Sequence, residues 1–164
     1  MPNSKSKSMS MSNYWLMKSE PEEVSIDDAL AAPKQTVPWF GVRNYLARNF
    51  MRDSMRVGDG VLFYHSSCAE PGIVGVAQIA SATRPDPTQF DPKSPYFDAK
   101  SKSAEPRWVL LDVQALRKTR VLNLPELRAI EALADMRLLQ RGNRLSVMPV
   151  DKAHWDLIVK RLKK

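Results

Sequence analysis

Short apolar runs separated by turn signals limit the folds that this chain can adopt more than any other feature of its sequence. The runs that read as strands cover residues 13–18, 61–64, 73–80, 107–121 and 144–150. Short helical segments with polar starts lie between and after them. This interleaving predicts an α+β (mixed α/β) fold: a strongly curved, mostly antiparallel β-sheet or small barrel with helices packed around it.

Capping residues predict where several helices begin. Ser25, followed three residues later by Asp28, predicts the start of a helix that ends near Ala31. Asn123 stands before Pro125 as a second predicted cap, and Asp151 is a third. A further helix is predicted over residues 42–51. The final helix has an apolar stripe of Trp155, Ile158, Val159 and Leu162.

Composition favours one folded domain over residues 13–164. Residues 1–12 alternate Ser, Lys and Met, a composition typical of a disordered leader. No stretch approaches the roughly 20 apolar residues that span a bilayer. The single Cys excludes an internal disulfide and a cysteine-based zinc site. We therefore expect a cytoplasmic monomer with no membrane association, which can associate with the nucleoid.

The formal charge of +7 permits a nucleic-acid partner without identifying one. The basic residues of the first 12 and last five positions account for six of these charges and leave +1 for the remainder: Lys5, Lys7, Lys160, Arg161, Lys163 and Lys164. Basic chain ends of this kind are also common solubility features.

Enzyme templates fit the sequence poorly. His65 and His154 lie far apart and have no metal-ligand spacing, and Gly58-Asp59-Gly60 lacks the pattern of a phosphate loop. Cys68 and His65 could be written as a nucleophile and base, but a structural role for Cys68 is favoured. We expect no catalytic residues, no metal and no cofactor.

A binding pocket is better supported. Trp39 lies in a loop between Pro38 and Gly41, where a large ring can be presented to a ligand. Tyr64, His65 and Ser66 end a predicted strand and could point into the mouth of a sheet. Core packing is expected of Trp108 and Trp155. The Pro- and Asp-rich residues 84–106 predict a loop that is functional or poorly ordered, with turn chemistry over residues 86–92.

Seven sequence words occur in order and resemble the EVE domain family of the PUA-like superfamily. They are YWLMKSEP (14–21), WFGVRNYLARN (39–49), VGD with LFYHS (57–66), PGIVG (71–75), PDPT with FDP (85–92), PRW (106–108) and RLSV (144–147). Departures from the family pattern are small: Leu46 stands where Gln is frequent, Ser67 where Asn is common, and Met148 where Gln is common.

The resemblance implies a PUA-like, barrel-like core with a partly aromatic pocket for one extruded, modified base, as in the YTH and SRA readers. A methylated or hydroxymethylated base in DNA is the expected ligand. Trp39 and Tyr64 would sandwich its ring, and Ser19, Asn44 and His65 would bond its edge. Arg43, Arg48 and Arg107 would contact phosphates. The full base-binding set implied is Trp15, Lys18, Ser19, Trp39, Val42, Arg43, Asn44, Tyr64, His65 and Ser66.

Three alternatives stay open at this point. The same pocket could read a modified base in tRNA or another RNA. The domain could instead be a protein-interaction module or a binder of free nucleobases. An enzyme using Asp112 or His65 is a third class, although no acid–base set can be assembled around either residue.

Overall fold

The computed structural model describes residues 13–163. Within this range the strands are β1 (Tyr14–Ser19), β2 (Thr36–Pro38), β3 (Gly60–His65), β4 (Gly72–Ile79), β5 (Arg84–Pro85), β6 (Val109–Leu110), β7 (Asp112–Asn123) and β8 (Val147–Pro149). The α-helices are α1 (Ile26–Ala31), α2 (Tyr45–Asn49), α3 (Leu124–Ala129) and α4 (Lys152–Leu162). None of them is long and apolar enough to cross a membrane.

Six strands form one curled, mixed sheet in the order β2-β7-β4-β3-β1-β8. The β1–β3 pair is parallel, and every other neighbouring pair in this sheet is antiparallel. Register shifts between Phe63 and Tyr64 and between Val76 and Ala77 bend the sheet. The predicted fold class, a curved and mostly antiparallel sheet surrounded by helices, is confirmed.

Both faces of the central strands are buried, which explains their almost continuous apolar sequence. Trp15 and Met17 of β1 pack into one cluster with Phe63 of β3. Leu16 and Leu62 point the other way into a second cluster beneath α3 and α4. Alternate residues of one strand therefore enter two separate cores.

Two predicted caps form as expected. The Ser25 hydroxyl accepts from the Asp28 amide, and the Asp28 carboxylate accepts from the Ser25 amide, which completes a capping box on α1. The Asn123 side chain accepts from the Glu126 amide at the start of α3. Asp151 occupies the N-cap position of α4, but its side chain makes no capping hydrogen bond.

Three predicted boundaries were wrong. The helix expected over residues 42–51 begins at Tyr45, because the Asn44 side chain caps it, and continues as a π-helical turn, Phe50–Ser54. The strand expected over residues 107–121 is two strands, β6 and β7. They divide at Leu111, whose carbonyl accepts from the Trp39 amide. The last strand covers Val147–Pro149 rather than residues 144–150.

The long loop over residues 86–108 is fastened to the fold by buried polar side chains. Gln89 is fully buried, donates to the carbonyls of Asp86 and Trp108, and accepts from the Trp108 amide and the Ser101 hydroxyl. The predicted turn chemistry is confirmed, because Asp86 caps the short 3₁₀ helix Pro87–Phe90. The predicted leader, residues 1–12, lies outside the described residues.

Candidate functional site

A pocket of about 400 Å³ opens at the end of the sheet where the parallel strands β1 and β3 both finish. We call it the sheet-end pocket. Adjacent parallel strands bring their carboxyl ends to one edge, so the residues that follow them meet there. The pocket is lined by Lys18, Ser19, Glu20, Glu23, Val24, Pro38, Trp39, Phe40, Gly41, Val42, Ser66, Ser67, Tyr96, Arg144 and Ser146.

Tyr96 brings the long loop against the segment that follows β2. A Cβ atom added to Gly41 would lie 2.8 Å from Tyr96 Cζ, so only glycine permits this contact. Gly41 also has φ +83°, in the left-handed region that favours glycine. The Phe40 ring meets Tyr96 edge-on, with ring centroids 5.8 Å apart. Together these residues form an aromatic wall.

Tyr96 also closes one side of the pocket through Glu23. Its hydroxyl donates to the Glu23 carboxylate at 2.6 Å and 2.7 Å. Burial, together with this carboxylate, raises the pKa of Tyr96 to about 12. The neighbouring Glu20 carboxylate lines the same side and makes no hydrogen bond within residues 13–163. This side of the pocket is therefore rich in hydrogen-bond acceptors.

Trp39 lines the pocket but is mostly core. It is 6% exposed, and its ring packs edge-on against Phe63 at 5.2 Å between centroids. Its indole N–H donates to no residue in the described part of the chain, yet it keeps some access to solvent. Trp39 thus presents little of its ring to the pocket.

The predicted Trp39–Tyr64 sandwich does not form. Tyr64 is buried in the cluster on the opposite face of the sheet, because it is one residue out of phase with Phe63 along β3. Trp15 is also buried, and its indole N–H donates to the Asp59 carboxylate at 3.0 Å. The structure places both rings away from the pocket lining.

Ser19 and His65 support the pocket through the backbone around it. Ser19 lines the pocket, and its hydroxyl donates to the Val24 carbonyl at 2.6 Å. His65 Nε2 accepts from the Ile26 amide at 3.1 Å, which requires its proton on Nδ1. Burial lowers the pKa of His65, so the neutral ring that accepts this bond is favoured. His65 fastens α1 to β3.

Arg43 and Asp86 form an extensively hydrogen-bonded ion pair behind the aromatic wall. Asp86 is fully buried and accepts from Arg43 at 3.1 Å, from the Gly41 amide at 2.8 Å and from Thr88. Three further Arg43 donors bond the Tyr96 carbonyl, the Val42 carbonyl and the Thr88 hydroxyl. We call this set the Arg43–Asp86 cluster. It holds the loop bearing Tyr96 in place.

The other predicted nucleic-acid contacts also have partners. Arg48 donates to the Arg107 carbonyl and twice to the Asn49 side chain. Arg107 lies 3.6 Å from Asp98. Asn44 is occupied as the cap of α2. Of the residues predicted as base-binding, the structure gathers five in the pocket lining: Lys18, Ser19, Trp39, Val42 and Ser66.

Glu20, Glu23, Arg144 and Ser146 line the pocket but were not among the predicted site residues. Glu20 and Glu23 follow β1 within and just beyond the word YWLMKSEP, and Arg144 and Ser146 belong to the word RLSV. Their place in those words was an available signal. Tyr96 had none, because its position depends on the buried bonds of a long loop. Between Asn13 and Lys163 no group of His, Cys, Asp and Glu could hold a metal ion.

Comparisons with known proteins agree with this architecture. A model of the EVE domain matches residues 13–161. Thymocyte nuclear protein 1 of Mus musculus is 44% identical, over 91% of this chain and 73% of that protein. A crystal structure from Pseudomonas putida matches with TM-score 0.85 and 49% identity, over 90% of this chain and 97% of that one.

A further match is the crystal structure of human THYN1 in complex with 5-methylcytosine-containing DNA. Its TM-score is 0.88 at 41% identity, and the match covers 93% of this chain and 99% of that one. Sequence and structure agree over almost the whole described chain. The chain therefore belongs to the EVE domain family, with its PUA-like fold.

Proposed function

We propose that this protein is a non-catalytic DNA-binding module that accepts a methylated cytosine in the sheet-end pocket. The observation that carries the proposal is the pocket itself, which combines an aromatic wall, an acidic side and apolar surface in one concavity. The human relative in complex with 5-methylcytosine-containing DNA supports the choice of base. The module acts as a monomer and needs no cofactor.

The pocket lining matches the chemistry of a cytosine ring. The exocyclic amino group of cytosine is a donor, and carboxylates are its usual protein acceptors. Glu20 and Glu23 supply such acceptors. Thymine and uracil present an oxygen in the same place, which a carboxylate repels. Val24, Pro38 and Val42 give apolar lining against which a methyl group can pack.

Magnitudes indicate what the methyl group can contribute. Extruding a base costs a few kcal/mol, and stacking on an aromatic ring returns roughly 1–3 kcal/mol. Burying one methyl group adds about 0.8 kcal/mol, which corresponds to less than tenfold in affinity. Discrimination between cytosine and thymine can be larger, because binding of thymine leaves a buried polar group without a hydrogen-bond partner.

Fluorescence anisotropy with matched oligonucleotides tests the proposal. Each labelled strand carries one 5-methylcytosine, cytosine or thymine, in single-stranded DNA, duplex DNA and RNA. We expect DNA with 5-methylcytosine to bind best, by a few-fold over cytosine. RNA binding as tight as DNA binding would favour the RNA-reading alternative.

A pocket-filling variant separates pocket binding from surface binding. Ser66→Phe places a ring in the mouth, and Ser103→Phe places the same ring on the exposed loop outside it. We expect at least tenfold weaker binding for Ser66→Phe alone. Unchanged binding by a folded Ser66→Phe protein would refute the pocket as the site.

A further inference from the structure

Two cations of the sheet-end pocket have no counter-ion in the described part of the chain. We propose that Lys18 and Arg144 form a phosphate-binding pair, which holds the phosphate of the nucleotide whose base occupies the pocket. The inference rests on the proposed function and deepens it, because it assigns the phosphate to residues other than the arginines that the family resemblance implies.

Lys18 is half-buried at the end of β1 without a carboxylate beside it. Its Nζ atom lies 5.6 Å from the centre of the Tyr64 ring and forms no salt bridge within residues 13–163. Burial lowers the pKa of Lys18, because the ammonium loses water without gaining a partner. An anion placed beside this group would restore the missing interaction.

Arg144 approaches the pocket from the loop before β8. It is exposed, and its guanidinium forms no hydrogen bond or salt bridge with any described residue. Its position is tied to Lys18, because the Lys18 amide donates to the Ser146 carbonyl at 2.8 Å. A guanidinium offers a fork of donors that suits phosphate oxygens.

Uncommitted hydroxyl groups surround the same part of the pocket. Ser66, Ser67 and Ser146 line it, and none of their hydroxyls has a side-chain hydrogen bond among residues 13–163. Serine hydroxyls commonly add bonds to phosphate oxygens in protein–DNA contacts. The pocket lining therefore includes these cations and hydroxyls as well as the carboxylates of Glu20 and Glu23.

This arrangement of charge also sets the orientation of the ligand. A phosphate is repelled by the acidic side and attracted by Lys18 and Arg144. The amino edge of cytosine has the opposite preference. A cytosine nucleotide that directs its phosphate to the two cations and its amino edge to the carboxylates satisfies both groups.

Salt dependence of binding to single-stranded DNA tests the proposal. We would compare the parent with Lys18→Met, Arg144→Ala and the double variant. Each phosphate interaction that a variant removes should reduce the slope of log affinity against log salt by about 0.7 on a single strand. Because Lys18 and Arg144 hold one phosphate between them, we expect a reduction of about 0.7 in the double variant. The weakening should be equal for 5-methylcytosine and cytosine strands.

Matched controls remove the same charge elsewhere. Arg141→Ala lies three residues before Arg144 in the same loop, and Lys100→Met lies on the exposed long loop; neither residue lines the pocket. Lys18→Arg keeps the charge and should keep the slope. If the pocket variants change the slope no more than these controls, the proposal is refuted.

Competition with mononucleotides tests whether the phosphate bound by Lys18 and Arg144 belongs to the nucleotide in the pocket or to a neighbouring nucleotide. We would compete a bound oligonucleotide with 5-methyldeoxycytidine and with its 5′-monophosphate. The parent should prefer the monophosphate by about tenfold, and the double variant should lose that preference. Equal competition in the parent would refute the assignment. The preference for 5-methylcytosine over cytosine is measured with oligonucleotides in a separate experiment. A failure of the proposed function can therefore be distinguished from a failure of the phosphate assignment.

Discussion

The Arg43–Asp86 cluster and the sheet-end pocket lie next to each other, and both are rich in charge and aromatic rings. In the cluster, most donors of Arg43 and both carboxylate oxygens of Asp86 are bonded within the protein. In the pocket, Lys18 and Arg144 have no carboxylate partner within residues 13–163. The difference shows that residue type alone does not identify a ligand-binding residue; the state of its hydrogen bonds does.

The largest expected effect comes from breaking the cluster at Asp86. Asp86→Ala leaves Arg43 and the Gly41 amide without their acceptor, so the free energy of unfolding should fall by about 3–5 kcal/mol. Urea denaturation measures it. Glu105→Ala, an exposed carboxylate in the same loop, should change stability by less than about 0.5 kcal/mol. If Asp86→Ala lowered the free energy of unfolding by less than about 0.5 kcal/mol, the structural role of Asp86 would be contradicted.

Substitutions at two glycines test the contact between Gly41 and Tyr96, which joins the Arg43–Asp86 cluster to the sheet-end pocket. Gly41 and Gly142 both have positive φ, but only at Gly41 would a Cβ atom meet Tyr96. Gly142→Ala should cost about 1 kcal/mol from backbone strain alone. Gly41→Ala should cost more and also weaken DNA binding, because Tyr96 must move. Equal stability losses with unchanged binding in both variants would show that Tyr96 does not shape the pocket.

Arg48 and Arg144 are expected to behave in opposite ways. Arg48→Ala loses its bonds to Arg107 and Asn49, so stability should fall by about 1–2 kcal/mol, while the salt slope of binding stays constant. Arg144→Ala should leave stability within about 0.5 kcal/mol and reduce the slope. Denaturation and salt titration of both proteins check this. The reverse pattern would restore Arg48 as a phosphate-binding residue.

The smallest effect concerns Tyr96 at alkaline pH. The neutral hydroxyl donates to Glu23, and its pKa is raised from 10 to about 12. A raised pKa means that the stabilisation is complete below pH 10 and is lost as pH rises through 12. Tyr96→Phe should remove this dependence from a stability–pH profile. If the two profiles keep the same slope over that range, the Tyr96–Glu23 bond does not contribute.

The predictable part of the fold was local and periodic. Continuous apolar runs predicted β1 and β3, and side chains such as Ser25 and Asn123 predicted helix starts, because caps act within one turn. Strand division at Leu111 was not predictable, because it depends on a bond from the distant Trp39 amide. The opposite directions of Phe63 and Tyr64 follow from strand alternation, but only the structure shows that Trp39 packs against Phe63.

The site was predictable only where sequence words carried it. Lys18, Ser19, Trp39, Val42 and Ser66 were expected and line the pocket. The roles of Tyr96 and Asp86 depend on a loop whose course is set by the buried amide of Gln89. No periodicity marks such a residue, because its partners lie up to 19 positions away.

The four tryptophan indole groups provide the most direct test of the pocket as the binding site. Trp39 lines the pocket, whereas Trp15 and Trp108 donate to Asp59 and Asp98, and Trp155 packs on Tyr14. We would follow the four indole N–H signals of ¹⁵N-tryptophan-labelled protein during titration with a 5-methylcytosine strand. The Trp39 signal should move furthest and saturate. Movement of Trp155 or Trp108 with an unmoved Trp39 would contradict binding in the sheet-end pocket.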